Sequence, residues 1–261
     1  MLLCHRPLFT NLCLETTAVG SGPNDRPRGM IGVFGGTFDP IHHGHLRAAL
    51  DVHQALNLSE LRFVPLNVAV HREQPRASVE QRSAMLKVAV ADEPVFRLDD
   101  RELVRAGRSF SIDTLLSLRE EIGTARPLCL LVGGDAFNGF FDWHRPCAIL
   151  ELAHIVVMQR PGAPIPRDPR LRAEIERRRA TRRDQLTGSA AGHIWFQAVT
   201  QLDISSTGIR RLFASGLSPR YLLPDAVIEI ARRSGCYATP AEPVAKPAPS
   251  GGCPAAESAA D

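Results

Sequence analysis

The 261-residue chain predicts an α/β fold: a doubly wound parallel sheet with helices on both faces, in a single domain with a small C-terminal helical part. Three observations predict it. Short apolar runs alternate with longer segments of helical period. The runs are apolar throughout, as strands buried on both faces are. A glycine pair follows the first run and leads straight into the first helix. Sheets built this way bind ligands where their strands end.

The elements follow in order. Met30–Phe34 is strand-like, with the strand proper over Ile31–Phe34. Gly44–Leu56 has Leu46, Ala49, Leu50 and His53 at helical spacing. Leu61–Leu66 is the second strand. Val79–Ala91 is a helix with Ser78 as N-cap and Glu80 and Gln81 in its first turn. Val95–Leu98 is a short strand, and Ile112–Glu121 a helix capped by Ser111. Leu128–Val132 is a fully apolar strand, Pro146–Leu152 a short helix, and Ile155–Met158 and Ile194–Val199 two more strands. The Arg-rich Leu171–Arg183 is expected to be a solvated helix face rather than a nucleic-acid arm. Ser206–Ala214 and Asp225–Arg233 close the domain as helices. The whole is Rossmann-like.

Outside these elements the composition changes. Residues 1–29 show no periodicity and are expected to be a flexible leader; Met30 can itself serve as a start. Residues 30–237 form the domain. Residues 238–261 are rich in Ala, Pro, Gly and Ser, and are expected to be disordered because they cannot bury enough apolar surface to offset ordering.

At 44% hydrophobic residues the chain can bury one good core, and no stretch is long and apolar enough for a membrane span. A net charge of +3 supplies no polycationic surface for nucleic acid. Nearly all cations are arginines, whose forked donors suit phosphate oxygens. The six cysteines form no C-x-x-C pair and are expected to be free thiols in a reducing cytoplasm.

The chemistry concentrates in Gly35-Gly36-Thr37-Phe38-Asp39-Pro40-Ile41-His42-His43-Gly44-His45-Leu46. Gly35 and Gly36 permit close backbone approach to a ligand, and the helix start that follows favours an anion. His42 and His45, three apart, can face that anion together as hydrogen-bond donors. Phosphoryl-type transfer needs chiefly positioning and donors aimed at developing charge. A zinc site is the rival for this pair, but the Glu of H-E-x-x-H and a third ligand are missing, and no metal ligand is assigned. Neither G-x-x-x-x-G-K-[ST] nor G-x-G-x-x-G occurs.

This segment resembles the signature of the nucleotidyltransferases that share the His-x-Gly-His motif. The resemblance implies that His42 and His45 contact the ATP phosphates and stabilise the transition state, with Gly35, Gly36, Thr37 and Phe38 in the nucleotide-binding turn. A second signature of that superfamily resembles Ile204-Ser205-Ser206-Thr207-Gly208-Ile209-Arg210. Physically, Ser205 or Ser206 caps a helix whose amides and hydroxyls, with Thr207, form another phosphate cradle, and Arg210 lies one turn on.

Further segments are similar to bacterial nicotinate-nucleotide adenylyltransferases over roughly residues 30–237. They are Val64–Arg72, Glu80–Leu86, Arg101–Leu103, Ser109–Leu115, Val132–Asp135, Phe141–His144 and Gln159–Gly162. By that resemblance Trp143 stacks on the pyridine ring, while Ser111 and amides near His144 hold the nicotinate carboxylate. Arg72 and Arg160 face phosphate, and Gly133 and Asp135 lie by the nucleotide. The sequence departs from the family where Ala69-Val70 replace prolines and where Ser111 stands in place of Thr.

The expected reaction joins ATP and nicotinate mononucleotide to give deamido-NAD and pyrophosphate, with Mg²⁺ bound through the ATP phosphates. ATP and the mononucleotide are the expected partners, with neither nucleic acid nor membrane; a homo-oligomer is allowed. Two alternatives stay open. One is a sibling transferase taking nicotinamide mononucleotide or another phosphorylated acceptor. The other is a non-catalytic nucleotide-binding regulatory module.

Overall fold

The computed structural model describes residues 29–67, 74–105, 107–159 and 166–238. Six strands form one sheet: β1 (Ile31–Gly36), β2 (Glu60–Pro65), β3 (Phe96–Leu98), β4 (Leu128–Gly133), β5 (His154–Gln159) and β6 (Ile194–Ala198). Their order is β3-β2-β1-β4-β5-β6 and every pairing is parallel. The chain leaves β1 toward β2 on one side and later returns to place β4 on the other. The resulting switch point lies between the carboxyl ends of β1 and β4, where such sheets open a ligand crevice.

The apolar strands still alternate between two cores. Ile31 and Val33 of β1, Leu128, Leu130 and Val132 of β4, and Ile155 and Val157 of β5 pack on one face. Phe34, Cys129, Leu131, Val156 and Met158 pack on the other. The first face is covered by α3 (Ser111–Ile122), α4 (Gly134–Asn138), α5 (Pro146–Leu152) and α6 (Pro169–Arg178). The second is covered by α1 (His43–Leu56), α2 (Val79–Val90), α7 (Arg183–Thr187), α8 (Ser206–Ala214) and α9 (Asp225–Ser234). No described helix is long and apolar enough to cross a membrane.

Local chemistry sets the ends of these elements. Ser78 Oγ accepts from Gln81 N while Gln81 Oε1 accepts from Ser78 N, a reciprocal cap that starts α2 where the sequence placed it. Several boundaries moved by a residue or two: β1 runs on through Gly35 and Gly36, and two helix starts shift. The first helix starts at His43, with extended His42 as its N-cap, one residue before Gly44. The α3 cap is Phe110, whose carbonyl accepts from Asp113 N, so Ser111 is the first helical residue and not the cap. The Arg-rich segment is the short α6, which buries Leu171 and Ile175, exposes Arg170, Arg172 and Arg177, and is followed by a break at Arg179. The described cysteines, Cys129, Cys147 and Cys236, are unpaired.

Arg119, a helical position with no sequence signal of its own, staples the end of the sheet opposite the crevice. Its guanidinium donates five hydrogen bonds to four carbonyls, those of Gly123, Arg126, Leu152 and Ala190. These carbonyls belong to the segments leading into β4, β5 and β6.

Candidate active site

A cleft of about 1200 Å³ opens at the carboxyl ends of β1 and β4. Single drug-sized ligands occupy pockets of roughly 300–1,000 Å³, so this one has room for two substrates. Its floor is glycine. A methyl group on Gly35 or Gly133 would meet no protein atom within 4 Å. Both positions therefore leave space for a ligand at the switch point rather than satisfying a packing need. Gly36 differs: a Cβ there would come within 2.8 Å of the Phe38 ring. Phe38 itself sits at φ 48°, a left-handed conformation costly for a bulky residue. Its ring is buried against Phe34, Phe63 and His45, which holds the turn in that shape.

His42 and His45 stack at the start of α1 with ring centroids 3.8 Å apart. Both line the cleft. Burial, and secondarily the nearby His43, push the His42 pKa down to about 4. His42 is thus a neutral imidazole near pH 7 in the free protein, not the partly charged group that its ordinary pKa would give. Its Nδ1 is buried with no hydrogen-bond partner. A neutral ring also relieves the repulsion two stacked imidazolium ions would suffer. A bound triphosphate would raise the pKa again.

The opposite wall is the start of α8. Ser205 Oγ accepts from Gly208 N and caps the helix. Ser205, expected on ATP, serves the helix start here, and Ser206, Thr207 and Arg210 line the cleft beside it. Ser206 Oγ donates to Pro40 O at 2.9 Å. Arg210 Nη1 donates to Asp39 O at 2.8 Å, and Nη2 to Thr207 Oγ1 at 3.1 Å. The two motifs, separated by most of the chain, are thus bonded to each other.

Asp39 is the hub of that contact and was not singled out from the sequence. It follows β1 in a turn whose Asp39–Pro40 peptide is cis. Its buried carboxylate accepts from Arg76 N, Ala77 N and the Tyr237 hydroxyl, and lies 3.7 Å from Arg210 Nη1. Arg82 of α2, also fully buried, donates to Thr37 O and Leu66 O. Asp39 stands inside the quoted motif and could have been picked out. Arg82 and Tyr237 carry no local signal.

The remaining expected residues gather at the other end of the cleft. Gly133 ends β4, and Asp135, expected by the nucleotide, lies in the first turn of the short α4 and lines the cleft. Ser111, Trp143 and His144 line the wall beyond it. Trp143 packs on Phe140 with ring centroids 5.5 Å apart and stays half-buried; His144 sits 4.7 Å from the Phe110 ring. Beneath this wall Glu102 is buried and hydrogen-bonded by the Thr114 hydroxyl, and burial pushes its pKa above the usual carboxylate range. Arg72 and Arg160 lie outside the described residues. Among the described residues, no group of three or more His, Cys, Asp or Glu gathers to hold a metal ion.

Burial likewise holds His154, remote from the cleft, at a pKa of about 4. In the unfolded chain both histidines take protons near pH 6.5. The unfolded state therefore binds the extra protons between about pH 6.5 and 4, so stability is complete above that window and falls as pH drops through it. At pH 5 the loss is expected to be on the order of 2 kcal/mol per histidine. Urea midpoints at pH 7 and pH 5 check this; equal midpoints contradict it.

A family model described as cytidylyltransferase-like matches residues 33–212. A probable nicotinate-nucleotide adenylyltransferase of Methylococcus capsulatus is 50% identical over 210 residues, covering 80% of this chain and 100% of the relative. One from Halorhodospira halophila is 47% identical, covering 82% of this chain and 98% of the relative. The Plasmodium falciparum nicotinic acid mononucleotide adenylyltransferase complexed with NaAD superposes with a TM-score of 0.61 at 16% identity, over 80% of this chain and 97% of that one.

Proposed function

The chain belongs to the cytidylyltransferase-like family and, within it, to the nicotinate-nucleotide adenylyltransferases; on that premise we propose how its own residues carry out the reaction. It transfers the adenylyl group of ATP to nicotinate mononucleotide, giving deamido-NAD and pyrophosphate, a step of NAD biosynthesis. An oxygen of the mononucleotide's 5′-phosphate attacks the α-phosphorus in line. The α–β bridging bond breaks, and its electron pair leaves with pyrophosphate.

No side-chain nucleophile is required, so the protein's task is to hold two anions together and spread developing charge. Gly35, Gly36, Thr37 and Phe38 admit the nucleotide beside β1. His42 and His45 donate to phosphate oxygens around the α-phosphorus. Ser206, Thr207 and Arg210 take the outgoing phosphates. Gly133 and Asp135 border the nucleotide. Trp143 stacks on the pyridine, and Ser111 with the amides near His144 holds its carboxylate. Backbone donors suit a carboxylate and would face a carboxamide NH₂ badly. Arg72 and Arg160 belong to the acceptor side as well.

One observation carries these assignments: the His42–His45 pair and Arg210 line the same cleft as Trp143, with glycines between them. The donors of that cleft include amides, hydroxyls, imidazoles and the guanidinium groups of Arg76, Arg210 and Arg211, which suits Mg²⁺ carried in on the ATP phosphates with water completing its shell. The ion would supply charge neutralisation on the triphosphate. Free thiols and the absence of a membrane-length apolar helix among the described residues support a cytoplasmic enzyme.

An acceptor panel with ATP and Mg²⁺, followed by pyrophosphate release, tests the reading. Nicotinate mononucleotide is expected to be preferred over its amide by at least about tenfold, the scale of one mismatched polar contact. The opposite preference would sink the acid assignment. ATP binding without pyrophosphate release for any acceptor would point to a non-catalytic module.

A further inference from the structure

Tyr237 follows α9 near the end of the described residues, away from either motif in sequence. It is 1% exposed, and its ring packs on Phe213 of α8. Its hydroxyl donates to Asp39 Oδ1 at 2.7 Å. That carboxylate is also 4% exposed and sits in a site meant for anions, where a bare negative charge would oppose ATP. Its partners explain how it is tolerated. Oδ1 also accepts from Ala77 N and Oδ2 from Arg76 N, while Arg210 approaches Oδ2 and donates to the Asp39 carbonyl. Arg210 is thus held by Asp39 on one side and Thr207 on the other, with 20% of its side chain open to the cleft.

We propose that Tyr237 is a positioning residue for adenylyl transfer, acting through Asp39 to aim Arg210 and fix the phosphate-binding turn. The inference rests on the reaction assigned above. When triphosphate enters, Arg210 turns part of its fork from Asp39 toward phosphate oxygens. The Asp39 charge must then be carried by its other donors, and the Tyr237 hydroxyl is the only side-chain donor among them within hydrogen-bond distance among the described residues. Without it, Asp39 keeps hold of Arg210, and the guanidinium is withheld from the transition state. Burial and the neighbouring carboxylate push the phenol pKa well above its ordinary value, so the hydroxyl remains a donor throughout the working pH range.

The test is a double-mutant cycle on the full chain with ATP, Mg²⁺ and nicotinate mononucleotide. Tyr237→Phe is expected to lower kcat about tenfold with the mononucleotide KM nearly unchanged, the pattern of an interaction realised in the transition state. In an Arg210→Lys background the same change should cost less than about twofold, because the group it aims is already lost. In a Trp143→Phe background it should still cost about tenfold. A full loss in the Arg210→Lys background, or no loss in the single variant, overturns the proposal. A structural role alone would weaken all backgrounds equally. If Tyr237→Phe fails to fold, fluorine NMR replaces it. The sequence has two tyrosines, so 3-fluorotyrosine in a Tyr221→Phe protein reports Tyr237 alone. Its resonance should shift on ATP binding and stay still in the Arg210→Lys variant; a resonance unmoved by ATP overturns the proposal. A wild-type protein releasing no pyrophosphate with any acceptor would instead be a failure of the assigned reaction, visible before any variant is made.

Discussion

Replacing either His42 or His45 by Ala is expected to lower kcat by about 10²-fold or more, with the variants still folded. Each change removes a donor aimed at the oxygens on which charge develops, and one such donor is worth roughly 10²–10³ in turnover. The two losses should not multiply. The rings stack at 3.8 Å and act on one phosphate group, so the double variant should fall little below the worse single one. ATP binding should weaken far less than kcat, because in the ground state each ring is one of several donors to the triphosphate, alongside Ser206, Thr207 and Arg210. Steady-state pyrophosphate release, with circular dichroism as the check on folding, measures both. Turnover near wild type in both single variants would remove the histidines from the chemistry.

Arg119→Met should act through stability alone. The guanidinium satisfies four carbonyls, and 9% of the residue is exposed. Methionine fills much of the same volume but withdraws all five hydrogen bonds; Ala190 O keeps Leu128 N and the exposed Gly123 can turn to water, which leaves the part-buried Arg126 and Leu152 carbonyls without their donor. At about 1–3 kcal/mol for each of these two groups, the expected loss is roughly 2–4 kcal/mol. For a domain of this size that lowers Tm by on the order of 10 °C. Because the staple sits at the end of the sheet away from the cleft, kcat measured well below Tm should stay close to wild type. A Tm within about 2 °C of wild type would show that the carbonyls find other donors.

The sheet, its parallel sense and most helices were legible because buried strands and amphipathic helices leave periodic patterns. The two phosphate-binding segments were legible because their residues are consecutive. Boundaries slipped by a residue where capping depends on backbone dihedrals, as at His42 and Phe110. Of the Ser205–Ser206 pair, Ser205 caps α8 and Ser206 bonds to Pro40 O, a division that two adjacent serines do not reveal in sequence. Arg82, Arg119 and Tyr237 could not be read at all. Each bonds backbone or carboxylate groups brought near only by the finished fold, and an isolated arginine or tyrosine carries no local mark of that duty.

The turn at residues 37–40 has a consequence for how the protein is made. Its residues leave the ribosome early, but the groups that bond to it lie at 76–77, 82, 206, 210 and 237. A nascent chain stopped short of the last of these carries its histidines beside a turn that lacks the Tyr237 brace. Such a chain can complete its sheet before Arg210 is aimed. Full turnover should therefore arrive late during translation, after the tyrosine near the end of the domain has emerged.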